Sequence, residues 1–132
     1  MTPPDSRLLV VEDDAALRFL VTKQLSRIGH RADFARDGRE ALEKAKAACY
    51  DLILMDVMMP GMDGIEATRL LRASEAPGSC PRPTIVAMTA FADKQRCLEA
   101  GMDDFVFKPV MLEQLKAVLS RWLKEALPDQ SA

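Results

Sequence analysis

Apolar residues gather in four short runs along this chain, at residues 8–11, 52–55, 85–88 and 105–107. The first three are continuous rather than alternating, which is the pattern of strands covered on both faces. Between them the pattern turns helical. Leu17, Leu20, Val21, Gln24, Leu25 and Ile28 fall at helical spacing, and Gly29 stops the run, predicting a first helix over 15–28 with its apolar side inward. Residues 32–35 form a weaker strand suited to a sheet edge. The Asp37-Gly38 turn then leads into a helix with Ala41, Leu42, Ala45 and Ala48 inward, and residues 64–72 carry Ile65, Thr68 and Leu71 at similar spacing. Three prolines and a glycine make residues 73–83 an extended loop. A short helix with few large apolar residues comes next, at 92–100. The last helix, 112–127, presents Leu112, Leu115, Leu119, Trp122, Leu123 and Ala126 as a broad stripe.

Five β/α units in this order imply a parallel sheet with right-handed crossovers and helices on both sides. The expected class is α/β, a flavodoxin-like doubly wound five-stranded sheet of order 2-1-3-4-5 with five helices. At 132 residues and 48% hydrophobic content, the chain has room for one such domain and no second catalytic one. A formal net charge of −2, without a basic block, gives no electrostatic support for binding nucleic acid or an anionic membrane. The apolar runs are far too short to span a bilayer, and MTPPDSR lacks the features of a secretory signal. Cys49, Cys80 and Cys97 are odd in number with no CxxC, which favours free thiols and a cytoplasmic setting over a disulfide framework or zinc site.

Ligands of doubly wound sheets sit at the carboxyl ends of the strands. Those ends bring together Glu12, Asp13 and Asp14, then Asp56, Thr89, and Lys108-Pro109. Converging carboxylates repel one another unless protons or a cation compensate. Oxygen-only ligands select a hard cation, and open coordination by few carboxylates favours Mg²⁺ over Ca²⁺. With Lys108 as complementary charge, such a set can hold a phosphoryl group while one carboxylate acts as nucleophile. Asp56 is the nucleophile candidate, because it ends an apolar strand and precedes the flexible sequence VMMPGMDG. Glu12 and Asp13 suit the metal, and Asp14 suits the cap of the first helix.

The strings LLVVEDD, DLILMDVMMPGMDG, IVAMTA and DDFVFKPV resemble, in this order, the motifs of response-regulator receiver domains. The resemblance covers residues 7–127 and leaves 1–6 and 128–132 as short tails. Its wording is closest to receivers of hybrid sensor kinases and stand-alone phosphorelay receivers. It implies that Asp56 accepts a phosphoryl group from a partner phosphohistidine, and that Asp13, Asp56 and the Met58 carbonyl bind Mg²⁺ with help from Glu12 through water. Lys108 would pair with the phosphoryl group, Thr89 would donate its hydroxyl to it, and Phe105 would rotate inward as Thr89 shifts. Glu12 and Phe105 depart from the aspartate and tyrosine common at their positions, and Phe105 has no hydroxyl to bond. Met58 and Phe91 are expected beside the path of the hydrolytic water. The resemblance further implies a sensor histidine kinase or histidine phosphotransfer protein as donor, a downstream protein target, and an output face of the fourth helix, fifth strand and fifth helix. The domain would be a monomer or weak dimer that modifies only itself and turns over no metabolite.

Taken singly these residues say less. Asp14 is a helix cap, Asp56 a turn aspartate and Lys108 a solvated lysine; their joint placement carries the assignment. His30, at the opposite end of the strands, is expected to be exposed, and Trp122 mostly core. A flavin or nucleotide site would need a Gly- or Ser/Thr-rich loop where three acids stand. A haloacid-dehalogenase-like phosphohydrolase would need an acid at Met58, and PDQSA leaves no room for a DNA-binding domain. The remaining rival is a receiver that works unphosphorylated as an interaction module.

Overall fold

The computed structural model describes residues 7–59, 61–74, 80, 82–90 and 94–123. Its elements alternate strictly: β1 (Leu8–Val11), α1 (Ala15–Arg27), β2 (Ala32–Ala35), α2 (Gly38–Ala47), β3 (Leu52–Asp56), α3 (Gly64–Ala73), β4 (Thr84–Thr89), α4 (Lys94–Ala100), β5 (Asp104–Phe107) and α5 (Leu112–Trp122). The strands are all parallel, in the order β2-β1-β3-β4-β5. This is the expected doubly wound arrangement, with the order reversing between β1 and β3.

Period-two geometry explains why β1, β3 and β4 read as unbroken apolar runs. Leu9, Val11, Ile53, Met55, Ile85 and Ala87 enter one core layer, shared with Ala41 of α2, Ile65 and Leu71 of α3, and Cys97 of α4. Their neighbours Leu8, Val10, Leu52, Leu54, Val86 and Met88 enter the other, shared with Val21 and Leu25 of α1 and Leu115, Val118 and Leu119 of α5. Three helices begin on aspartate caps, with Asp14 accepting from Ala16 and Leu17, Asp37 from Glu40, and Asp63 from Glu66.

Several expectations need correction. Leu17 and Leu20 are 38% and 44% exposed, and only Val21 and Leu25 of α1 are buried, so the apolar side of this helix is wider than the core it meets. Cys49 and Cys80 are joined in a disulfide between the end of α2 and the segment before β4, while Cys97 is a buried thiol outside that bond. A separation of 31 residues carries no pairing signal; the crossover of α3 brings the two together. His30 is half-buried rather than exposed. Helix α3 runs to Ala73, inside the segment expected to be loop. Residues 92–93 and 124–127, expected to be helical, lie outside the described residues, as does Phe91.

At the amino ends of the strands, Arg72 donates to the carbonyls of Gly101 (2.9 Å) and Pro83 (2.8 Å) and to Asp103 (2.8 Å). Asp103 also accepts from the Ile85 N–H (2.9 Å), so one acid ties α3, β4 and β5 together. Its neighbour Asp104 takes Arg121 and the Trp122 indole N–H, while the Trp122 ring, partly buried, packs on the core. The paired acids of the DDFVF string thus fasten the base of the sheet, far from the carboxyl ends.

Candidate functional site

Strand register assembles the site. Val11 pairs with Met55, so Glu12 and Asp56, each one residue further on, stand side by side across the β1–β3 reversal. Asp56 pairs with Met88, Thr89 with Phe107, and Lys108 comes directly after Phe107. The Lys108 N–H donates to the Thr89 carbonyl at 2.8 Å, extending the β4–β5 ladder by one bond and fixing the root of the lysine. The Lys108-Pro109 peptide is cis.

Asp56 and Glu12 are 1% and 2% exposed, so two acids end in the floor of the site with almost no water. The Lys108 ammonium bridges them, 2.8 Å from Asp56 Oδ1 and 3.3 Å from Glu12 Oε1. Asp56 Oδ1 also accepts from the Met58 N–H at 3.3 Å. Asp56 Oδ2, in contrast, is buried without a hydrogen-bond partner among the described residues. Glu12 accepts from the Asp14 N–H at 3.1 Å, while Asp14 itself caps α1.

The electrostatics arise from this crowding. Burial, reinforced by the Asp56 charge, pushes the Glu12 carboxyl up to about 7 against the opposing pull of the Asp14 N–H and Lys108. Burial works against the Lys108 charge, yet the two carboxylates outweigh it and hold the ammonium above the ordinary lysine range. One lysine cannot neutralise the site, because Asp13, exposed at its rim, brings the acids to three. Oxygens of Glu12, Asp13 and Asp56 all lie within 4.8 Å of one another. An orphaned buried carboxylate oxygen inside an all-oxygen donor set fits a hard dication. Asp13, Asp56 and Glu12 are the side chains that would hold one.

Thr89, at the end of β4, is buried beside this floor. Phe105 is half-buried on β5, packed on the α2–α3–α4 core layer, with its ring 5.4 Å from that of Phe107 and the Lys94 ammonium 5.0 Å from its centroid. Met58 projects into solvent at 73% exposure. A groove of about 280 Å³ opens next to the acids between α1 and the β5–α5 connection, lined by Leu17, Leu20, Pro109 and Val110 together with Glu12 and Lys108.

Sequence reasoning did not find Gly64. A Cβ there would stand 2.1 Å from the Asp56 carbonyl oxygen, so only glycine lets α3 begin against the backbone of the central acid. The only signal for it in the sequence is the MDG turn. The Lys108 contact to Glu12 was also not foreseen, since two residues 96 apart carry no pattern that links them.

The family model for the response regulator receiver domain matches residues 8–120. Histidine kinase 5 of Arabidopsis thaliana is 35% identical over 143 residues, an overlap that takes in 89% of this chain and 16% of that protein. The chain therefore spans less than a fifth of that relative's length. Among solved structures, the receiver domain of sensor histidine kinase PA1611 from Pseudomonas aeruginosa, described with magnesium in its active-site cleft, superposes with a TM-score of 0.80 at 36% identity, covering 90% of this chain and 98% of that one. A chain in the co-crystal of the Saccharomyces cerevisiae phosphotransfer protein Ypd1 with the receiver domain of Ssk1 gives a TM-score of 0.83 at 30% identity, covering 98% and 97%.

Proposed function

Because this chain belongs to the response regulator receiver domain family and is a receiver of two-component and phosphorelay signalling, we propose that Asp56 is its phosphoacceptor and that Mg²⁺ supports the reaction. The observation that carries this reading is Asp56 itself, buried at the β3 end with one oxygen held by Lys108 and the other without a partner. A lone pair on an Asp56 carboxylate oxygen attacks phosphorus, the N–P bond of a donor phosphohistidine breaks, and its electron pair returns to the imidazole, which is protonated. Lys108 and the Met58 N–H already address Asp56 Oδ1 and are the groups on hand for oxygens of the incoming phosphoryl. Thr89 stands at the adjacent strand end to donate its hydroxyl. Bound at Asp13, Asp56 and Glu12, with the Met58 carbonyl as the expected backbone ligand, Mg²⁺ would neutralise charge on the acids and the transferred oxygens.

The donor is a sensor histidine kinase or histidine phosphotransfer protein. The apolar groove beside the acids, with Leu17 and Leu20 exposed, suits the protein that must bring its imidazole to Asp56. The output face is that of α4, β5 and α5, where Leu98, Phe107 and Met111 are exposed and Phe105 sits at the strand that would respond. Phosphorylation adds nearly two negative charges at the end of β3, and the short α4, whose buried residues are the small Cys97 and Ala100, is the candidate element to respond. The domain turns over no external metabolite and works as a monomer or weak dimer. No helix among the described residues is long and apolar enough to cross a membrane. We place the domain in the cytoplasm, where kinases draw on ATP.

Incubation with a small phosphodonor and Mg²⁺, followed by intact mass, tests this reading. Wild type gains one phosphoryl group and Asp56→Asn gains none. An unmodified wild type, or equal modification of the variant, would favour the receiver used purely as an interaction module.

A further inference from the structure

Gln24 occupies a position on α1 where an apolar side chain would be expected. It sits between the buried Val21 and Leu25 in the inward repeat, and its Nε2 donates to the Val110 carbonyl at 3.0 Å, a contact between residues 86 apart in the chain. Its Oε1 is buried without a hydrogen-bond partner among the described residues. An isosteric apolar residue would fill the same space without an orphaned acceptor, so the amide costs stability unless its single bond has a use. That bond is the only tie, among the hydrogen bonds of the described residues, from α1 to the segment after Lys108.

The connection after β5 is otherwise held from the other side. The Lys108 N–H is fixed to the Thr89 carbonyl, and Phe107 is bracketed by Gln114, which accepts from its N–H at 3.0 Å and donates to its carbonyl at 3.4 Å. Pro109 has no N–H to offer. We propose that Gln24 is a positioning residue for Lys108, clamping the Pro109–Val110 turn against α1 so that the ammonium reaches Asp56 and Glu12 together. This rests on the reading of Asp56 as phosphoacceptor for its kinetic consequence, though not for its geometry. A partner that fixes a site residue from behind commonly contributes about tenfold to the rate, and that is the loss expected here.

The test uses the full chain with Gln24→Met, which keeps the volume and removes the donor, and Gln24→Glu, which keeps the shape and can donate only while protonated. Two readouts are taken, the rate of Asp56 phosphorylation by a small phosphodonor at saturating Mg²⁺, and the ¹⁵N resonance of the Lys108 ammonium in the metal-free protein. Gln24→Met is expected to slow phosphorylation roughly tenfold in wild type, to cause no further loss in a Lys108→Ala background, and to broaden the ammonium resonance. Gln24→Glu should fall further behind wild type as pH rises through its carboxyl range. An equal loss with and without Lys108, or an unchanged rate and resonance, would overturn the proposal. If wild type takes up no phosphoryl group while Gln24→Met still alters the Lys108 resonance, the phosphoacceptor reading fails and the positioning role stands.

Discussion

Replacing Asp13 by Asn should make the metal-free protein more stable, although it removes a charged group from the centre of interest. The three carboxylates offer oxygens within 4.8 Å of one another, and the lysine beside them pairs with Glu12 and Asp56. Two like charges at 4.8 Å cost about 3.5 kcal/mol at an effective dielectric of about 20, and about 1 kcal/mol if water screens them fully. Asp13 is exposed and its partners are buried, so the relief from Asp13→Asn lies between these limits, at about 1–2 kcal/mol, or about 4–8 °C in Tm for a domain of this size. Magnesium reverses the order. At a hundredfold excess over its dissociation constant a ligand stabilises the native state by about 2.7 kcal/mol, and the variant, short of a ligand, should forgo most of that gain. Urea denaturation of both proteins at pH 8, where Glu12 is charged, in chelator and in Mg²⁺, measures the two differences. A variant less stable than wild type in chelator would refute the claim that the acids repel. Equal stabilisation of both by Mg²⁺ would refute Asp13 as a ligand.

Other consequences stem from single contacts. Gly64→Ala would drive a methyl group to 2.1 Å from the Asp56 carbonyl; it should cost about 1–3 kcal/mol by overpacking and slow phosphoryl uptake at Asp56, read by denaturation and intact mass. Glu12 has its carboxyl raised from 4.5 to about 7, so its contribution is fully present below pH 4.5 and is lost as pH rises through 7. Metal-free stability should therefore fall by up to about 3 kcal/mol across that window, and Glu12→Gln should flatten the fall in chelator-containing urea titrations. The Cys49–Cys80 bond closes a loop of 31 residues, for which the chain-entropy model gives between about 3 and 4 kcal/mol; reductant should lower the urea midpoint of wild type and leave Cys49→Ser unmoved. An intact mass matching three thiols before reduction would rule the bond out.

The topology and the acids were legible because both depend on local rules. Unbroken apolar runs of four residues between turn signals fit strands covered on both faces, and the residues just past the end of such a strand in a doubly wound sheet lie at its carboxyl end. The placing of Glu12, Asp56, Thr89 and Lys108 at adjoining strand ends followed from their sequence positions. Contacts that depend on how far a helix rolls against the sheet were not legible. Leu17 and Leu20 share the spacing of Val21 and Leu25, yet α1 overhangs the sheet and leaves the first two beside the groove. Asp103 and Asp104 are identical in type and adjacent, and only the fold shows that one takes Arg72 and the other Arg121 and Trp122. Cys49 and Cys80 meet for the same reason, through a crossover whose length no pattern announces.

The two ends of the sheet differ in how their polar groups are satisfied, and this bears on how a signal could leave the site. At the base, Arg72 donates to Gly101, Pro83 and Asp103, Asp103 receives a strand N–H and the guanidinium groups of Arg72 and Arg82, the Arg7 N–H donates to Asp51, and Tyr50 donates to Asp33. Every one of these ties crosses between elements, so the strands are fixed relative to one another at that end. At the carboxyl end a buried oxygen of Asp56 has no partner and Lys108 is divided between two acids. A new charge on Asp56 would draw Lys108 toward it and away from Glu12, and the base gives the sheet no freedom to absorb the change by sliding. Accommodation is then expected at the upper ends of β4 and β5, at Thr89 and in the Lys108–Val110 segment. The latter runs between the exposed Phe107 and Met111. A domain whose strands were loosely held at the base could dissipate the same charge as a small shift of the whole sheet, and it would have no reason to alter that face.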